Sequence, residues 1–176
     1  MCHILQKCPV AHDERIQRHD AVVKKIAAHC IREGWRVVEE RRVRHDDGRL
    51  YKPDFVIFKT EARAVVADAQ VSWETGSSMQ EVWNKKKAVY GNIKFLAAAR
   101  KKWPNTHFTF LPVILGARGI WPSCNSPTET ELNIKPPLKR SCVASTLTWG
   151  CSEHKTFMRR IWKLPASHKC TSHTFR

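Results

Sequence analysis

The chain has 176 residues, of which 42% are hydrophobic, which is enough to build one domain with a buried core and excludes a disordered tail. Its 31 Lys and Arg residues against 16 Asp and Glu residues give a formal net charge of +15, which predicts a polyanionic partner, either nucleic acid or an acidic membrane face. No run of about 18 apolar residues occurs, which excludes a membrane-spanning helix.

The amino-terminal segment and the cysteines indicate a reducing compartment. The segment MCHILQKCPVAH lacks the basic end, long apolar core and small-residue cleavage site of a signal peptide. The seven cysteines are odd in number and scattered, so we expect free or metal-bound thiols rather than disulfides.

The first predicted elements are a helix and a strand. Asp13 is the expected N-cap of the helix, whose apolar residues recur at helical spacing until Gly34 ends it. Residues 35–44 then alternate as in a strand, and the Asp46-Asp47-Gly48 sequence predicts a turn. Two further strands are predicted at 50–58 and 63–72.

The stretch from Lys52 to Val71 is the centre of the sequence. Two apolar runs separated by a short polar break predict a hairpin, with Asp54 early in the first strand and Asp68 late in the second. Because paired antiparallel strands run in opposite directions, we expect the two carboxylates to meet at one end of the sheet. Alternatively, Asp54 is a turn residue after Pro53 and Asp68 ends an exposed strand.

Two carboxylates at close range repel each other, and a hard divalent cation removes that repulsion. Mg²⁺ suits a site of one or two carboxylates plus a substrate phosphate, and it would activate water and stabilise charge on the phosphate.

The rest of the chain is predicted to alternate helices with one more strand. The fold class is therefore α/β, with helices on a small mixed sheet in a core at 13–115 and a loop with a basic helical extension at 116–176. The predicted elements are helices at 79–90 and 93–103, a strand at 106–115, a loop at 116–127, a short helix at 128–134 and a long helix at 138–163 with a bend expected at Gly150; the last dozen residues are expected to fray.

Lys86 and Tyr90 share one face of the helix at 79–90, because they are four residues apart. A lysine aimed at the two aspartates would steady transition-state charge or position the water, and the tyrosine would contact the same phosphate. The alternative is that the run of three lysines is a solvated basic face. Gln70 shares a strand face with Asp68 and, like Glu74 beyond the strand, would extend the metal site or contact DNA; alternatively, it is simply a polar residue at the edge of the sheet.

The remaining candidates are basic residues that would contact a DNA backbone. An amphipathic helix with a charged outer face explains those on the first helix equally well. The candidates are Arg15, Arg18, His19, Lys52, Lys85 and Lys87.

The ordered set of Lys52-Pro53-Asp54, Asp68 after thirteen intervening positions, Lys86 and Tyr90 resembles the restriction-like endonuclease of site-specific non-LTR retrotransposons that insert into ribosomal RNA genes. That domain is a variant of the PD-(D/E)xK nucleases. The segment HILQKCPVAHDERIQRHD is similar to the junction between the CCHC zinc knuckle and the endonuclease in those proteins. The RGIWP sequence at 118–122 and the tract at 138–162 are similar to the end of the same polyprotein.

The resemblance implies a restriction-endonuclease-like fold and a metal-dependent DNA endonuclease that nicks its target to prime reverse transcription. It implies that Asp54 and Asp68 ligate Mg²⁺ or Mn²⁺, that Lys86 is the catalytic lysine because Gln70 fills the usual lysine position, and that Tyr90 completes the set. Double-stranded DNA is the expected partner, with element RNA as a partner of the full polyprotein and the nucleus as its location. Nothing in the sequence indicates the oligomeric state.

The resemblance also implies a remnant of the zinc knuckle at residues 1–12, with His3 and Cys8 as its second half. Cys2 and His12 would be the substitute ligands, although their spacing is unlike a familiar zinc site. Because the upstream cysteines and the reverse transcriptase are absent, we expect a fragment or degenerate copy of an element. The alternatives to an active nuclease are a DNA-binding fragment without catalysis and a resolvase-type host nuclease of the same fold.

Overall fold

The computed structural model describes residues 2–6, 8–39, 42–74 and 79–163, without the side chains of residues 2, 3 and 161–163; the expected fraying of the last dozen residues lies outside these ranges. The helices are α1 Cys2–Gln6, α2 His12–Arg32, α3 Met79–Tyr90, α4 Ile93–Lys102, α5 Ser126–Glu131 and α6 Pro136–Lys163, with 3₁₀ turns at Pro9–Ala11 and Ser123–Asn125. The strands are β1 Arg36–Glu39, β2 Val43–Arg44, β3 Leu50–Tyr51, β4 Phe55–Thr60, β5 Arg63–Ala67, β6 Ala69–Ser72, β7 His107–Phe110 and β8 Val113–Gly116.

The central sheet has four strands in the order β1-β4-β5-β7. The first two pairings are antiparallel and β5 pairs with β7 in parallel, so the mixed α/β class with a small mixed sheet is confirmed. In the predicted hairpin, Phe55 lies opposite Ala67. Asp54 precedes Phe55 and Asp68 follows Ala67, so this register puts the two aspartates at the same end of the sheet.

Each long strand predicted from the sequence is divided in two. The segment at 106–115 breaks at Leu111 and Pro112, because proline has no N–H for the ladder. The segment at 63–72 breaks at Asp68, and β6 pairs in parallel with β8 as a separate two-stranded sheet. The backbone N–H of Val113 donates to the carbonyl of Asp68 at 3.0 Å, which holds the backbone of Asp68 at this break.

Both faces of the central sheet are covered, which explains why β4 and β5 are continuous apolar runs. Phe55 and Ile57 face a core built with α2, whereas Val56 and Phe58 face a second core built with α4. Burying each such side chain contributes about 1.5–3 kcal/mol, so the strands next to the two aspartates are firmly held.

Helix α2 confirms the expected apolar spacing in its middle, where Ile26 and Cys30 are fully buried, whereas Ile16 and Ile31, expected on the same face, are exposed. The expected N-cap was wrong, because the helix begins at His12 and Asp13 lies in its first turn. In the first turn, the Asp13 carboxylate interacts favourably with the positive end of the helix dipole. Gly34 follows the helix with φ of +82°, a conformation that other residues rarely adopt.

The carboxy-terminal segment is part of the core rather than an appendage. Leu132 and Cys142 are fully buried in the same cluster as α2. The expected loop at 116–127 ends earlier, because Ser123–Asn125 and α5 are already helical, and α6 runs through Gly150 without interruption. Within the described ranges, no helix has both the length and the hydropathy needed to cross a membrane.

Candidate active site

Asp54 and Asp68 open into one cleft of about 370 Å³ beside the end of the central sheet. The hairpin pattern predicts this convergence, and the structure shows it. Helices α1 and α2 supply residues to the cleft, and α3 supplies Lys86. The lining residues are Gln6, Arg15, Arg18, His19, Asp54, Asp68, Ala69, Gln70, Val71 and Lys86.

Asp54 is fixed through one of its carboxylate oxygens. The backbone N–H of Ala69 donates to Oδ2 at 2.7 Å, and Nε2 of His19 lies 3.2 Å from the same oxygen. Ala69 directly follows Asp68, so the backbone beside Asp68 orients the side chain of Asp54.

Asp68 is 5% exposed and is held by two residues of α3. Nζ of Lys86 donates to Oδ2, and the hydroxyl of Tyr90 donates to Oδ1 at 3.1 Å. The same hydroxyl lies 3.1 Å from the carbonyl oxygen of Lys52. Because Lys86 and Tyr90 are one turn apart, a single helix face presents both donors to Asp68.

The electrostatics of the cleft favour a cation. Burial raises the pKa of Asp68, the charge of Asp54 raises it further, and Lys86 and Tyr90 oppose this rise. Burial and the neighbouring Asp68 carboxylate also raise the pKa of Tyr90, so its hydroxyl stays a donor at neutral pH. The contribution of Asp54 to the raised pKa of Asp68 shows that the two carboxylates are close enough to repel each other.

His19 is directly linked to the acid pair, which the sequence did not indicate. Its hydrogen bond to Asp54 raises its pKa to about 9, and burial works in the opposite direction. Its other ring nitrogen, Nδ1, lies 3.2 Å from the carboxylate of Asp20. The imidazole is therefore protonated at neutral pH and lies between two carboxylates.

Arg18 lines the cleft but is 2% exposed, and its guanidinium is ion-paired with Glu153 at 3.1 Å. It also donates to the carbonyl of Leu5 at 2.8 Å. Arg18 is thus engaged within the protein rather than open to a DNA backbone. Arg15, in the cleft beside it, donates to the carbonyl of Cys8 and lies 3.3 Å from the ring of His12.

The other basic candidates lie outside the cleft. Lys85 and Lys87 are exposed on α3, and Nζ of Lys87 lies 5.0 Å from the centroid of the Trp83 ring. Lys52 is exposed on the segment that leads to Asp54. Gln70 is half-buried in the cleft, as its strand face predicts.

Glu74 does not line the cleft. Its carboxylate accepts hydrogen bonds from the backbone N–H and from Nε of Arg118, at 2.8 and 3.0 Å. A Cβ at Gly116 would lie 2.0 Å from Glu74 Oε1, so this ion pair occupies the space that a side chain at 116 would need. The role of Glu74 in the described structure is to hold the loop after β8.

The zinc prediction falls largely outside the described side chains. The side chain of His3 is not described, and Cys8 is a free thiol that is 1% exposed. Among the described side chains, no group of three or more His, Cys, Asp or Glu residues is arranged to hold a metal. A magnesium site with two carboxylates has fewer than three such residues. Mg²⁺ takes its other ligands from water and substrate oxygens.

The donor set of the cleft fits a hard divalent ion. Both carboxylates are oxygen donors that open into one cleft, and burial together with the charge of Asp54 raises the pKa of Asp68. Both hydrogen bonds described for Asp54 fall on Oδ2. Asp54 and Asp68 are therefore the residues that would hold Mg²⁺ or Mn²⁺.

The fold and cleft define a mixed α/β protein in which two carboxylates and a lysine are gathered beside the end of a small sheet. No protein-family model matches the chain. Its homologues are Retrovirus-related Pol polyproteins from the type-1 retrotransposable element R2. One from Popillia japonica is 47% identical over 164 residues, which is 93% of this chain and 23% of the relative.

Two further relatives carry the same kind of name. A second Popillia japonica R2 polyprotein is 43% identical over 169 residues, covering 94% of this chain and 38% of the relative. A Pol polyprotein from the type-2 element R2DM of Drosophila melanogaster is 30% identical over 120 residues. The chain thus spans well under half the length of these relatives, and the homology supports a retrotransposon-associated role.

Proposed function

We propose that the chain is the DNA endonuclease domain of an R2-type Pol polyprotein and hydrolyses a phosphodiester with the help of Mg²⁺ or Mn²⁺. The observation that carries the proposal is the meeting of Asp54, Asp68 and Lys86 in one cleft. The homology supplies the retrotransposon context. The restriction-endonuclease-like fold is part of the same proposal, and the mixed sheet with its acids at one end supports it.

Each residue of the cleft has its own role in the hydrolysis of a phosphodiester. When bound, the divalent ion supplies a polarised water and neutralises charge on the phosphate. Asp54 and Asp68 hold that ion, Lys86 places a positive charge where negative charge develops, and Tyr90 fixes the carboxylate of Asp68. No side chain is required as a nucleophile, so the reaction has no covalent intermediate.

Double-stranded DNA is the proposed substrate. The formal net charge of +15 favours a polyanion, and Lys85, Lys87 and Lys52 are exposed on the segments that carry Lys86 and Asp54. Phosphate contacts of this kind give affinity without sequence selection, and binding should fall steeply with salt. In a full polyprotein the element RNA would be a further partner and the nucleus the site of action.

A nicking assay on supercoiled plasmid DNA with Mg²⁺ tests the proposal. We expect Asp54→Asn and Asp68→Asn each to lower the nicking rate at least about 100-fold, as expected when a group that stabilises the transition state is lost. Asp46→Asn is the matched control, because this carboxylate is 75% exposed and is paired with Lys101 away from the cleft.

Two results would contradict the proposal. Nicking that survives both aspartate substitutions would locate the chemistry elsewhere. DNA binding by the wild type with no nicking in Mg²⁺ or Mn²⁺ would establish the alternative function, a DNA-binding domain that does not cut.

A further inference from the structure

A second groove, of about 700 Å³, lies along α3 beside the acid cleft. Lys85 and Val89 of α3 line it together with Leu50 of β3 and Ile93 of α4. The buried ring of Tyr51 lies beneath, and its hydroxyl donates to Asn92 at 3.3 Å. The groove is thus built on ordered helices and a strand.

Three large apolar side chains are exposed in this groove. Leu50 is 48% exposed, Val89 is 47% exposed and Ile93 is 81% exposed. None of them is needed for the core, because Tyr51, Tyr90 and Phe95 fill the interior beside them. Exposed apolar side chains gathered in one groove typically mark a binding surface.

The polar rim of the groove is positively charged. Arg49, Lys85 and Lys94 line it, and the carboxylate of Asp47 lies beside two of them. That carboxylate lies 2.6 Å from Lys94 and 3.8 Å from Arg49, so one negative charge is shared between two cations. The excess positive charge complements an anionic ligand that also has an apolar face.

The groove lies a short distance from the cleft. Lys85 lines the groove and Lys86 lines the cleft, so α3 forms the ridge between the two. A helix with its side chains is about 10–12 Å across. Two neighbouring residues of one helix therefore line the two features, which places the groove beside the cleft.

We propose that this groove binds unpaired nucleotides of the substrate strand beside the cut. Their bases pack on Leu50, Val89 and Ile93, and their phosphates pair with the basic rim. A base-paired duplex presents phosphates and base edges but hides the flat base faces, whereas an unpaired strand exposes both features that the groove complements. The proposal rests on the nuclease function argued above and adds a preference for locally opened DNA.

The test is DNA binding by the full chain in EDTA, followed by fluorescence anisotropy. The probes are a blunt duplex and the same duplex with a short unpaired arm. We expect the wild type to bind the armed duplex about tenfold more tightly, a gain of the size expected when part of the exposed apolar surface is buried against a base. The Val89→Ser/Ile93→Ser double variant should bind both probes equally, with blunt-duplex affinity unchanged.

The matched control is Ile16→Ser/Ile31→Ser, which removes two exposed isoleucines from α2 and should keep the preference for the armed probe. Equal binding of the two probes by the wild type would overturn the proposal, and so would a preference that persists in the groove variant. Binding is measured without a divalent metal and is therefore independent of the nicking assay. Absence of nicking would reject the nuclease function but would not change the measured preference for the armed duplex.

Discussion

Arg18 and Glu153 form a buried ion pair that joins α2 to α6, with 3.1 Å between Nη1 and Oε1. Burial lowers the pKa of Arg18 and raises the pKa of Glu153 to about 7, because each charge has lost its water. The residues are 135 positions apart in the chain, so the pair connects the wall of the cleft to the last helix.

Removing one partner of this pair should destabilise the fold. We expect Arg18→Met to lower the free energy of unfolding by about 3–5 kcal/mol, because Glu153 is left without its counter-charge, and Arg18→Met/Glu153→Leu to recover most of that loss. Urea denaturation measures both. Arg63→Ala, which breaks an exposed pair with Glu131, is the control and should cost at most about 1 kcal/mol. A loss that small in Arg18→Met would contradict the structural role.

His19 should titrate at an unusually high pH. NMR of the imidazole should give a pKa of about 9 in the wild type, and Asp54→Asn should bring it down towards 6.5. Because the folded-state pKa is raised, the contribution of His19 to stability is complete below pH 6.5 and is lost as the pH rises through about 9. A pKa that does not respond to Asp54→Asn would show that the pair is not formed in solution.

Tyr90→Phe should weaken both the fold and the site. The substitution removes the hydroxyl that bonds Asp68 and the carbonyl of Lys52, and it should lower the free energy of unfolding by about 1–3 kcal/mol. Nicking should also slow, because Asp68 loses a fixed donor. Tyr51→Phe is the control, since its hydroxyl bonds Asn92 rather than an acid of the cleft. Equal nicking rates in Tyr90→Phe and Tyr51→Phe would show that the Tyr90 hydroxyl does not contribute to the site.

Lys86 should matter for catalysis, and its neighbour should not. With saturating DNA, we expect Lys86→Met to slow nicking by about 100-fold to 1000-fold, whereas Lys87→Met leaves the rate close to that of the wild type. The two lysines differ in their contacts, because Lys86 donates a hydrogen bond to Asp68 whereas Lys87 packs over Trp83. A similar loss in both variants would mean that α3 contributes only general positive charge.

The sequence predicts those parts of the fold that depend on local pattern. The apolar runs at 55–58 and 64–67 predict the hairpin, and the opposite directions of its two strands predict that Asp54 and Asp68 converge, as the register shows. The spacing of Lys86 and Tyr90 correctly predicts a shared helix face turned towards Asp68.

Other features depend on contacts between distant segments, which a local pattern does not encode. Asp68 interrupts its strand because β6 pairs with β8, whose sequence lies more than forty residues away. The buried position of Arg18 depends on Glu153, and the link from His19 to Asp54 depends on how α2 packs against the sheet. An amphipathic pattern shows that α2 has a polar face, but it does not show which carboxylate that face meets.

The central claim is that Asp54 and Asp68 share one divalent cation, and Mn²⁺ titration followed by electron paramagnetic resonance tests it most directly. We expect the wild-type chain to bind Mn²⁺ at one site, and Asp54→Asn and Asp68→Asn each to weaken that site at least about tenfold. Asp46→Asn should leave it unchanged, because Asp46 pairs with Lys101 outside the cleft. Mn²⁺ binding that is equally tight in both cleft variants, or no bound Mn²⁺ in the wild type, would contradict the shared-cation site.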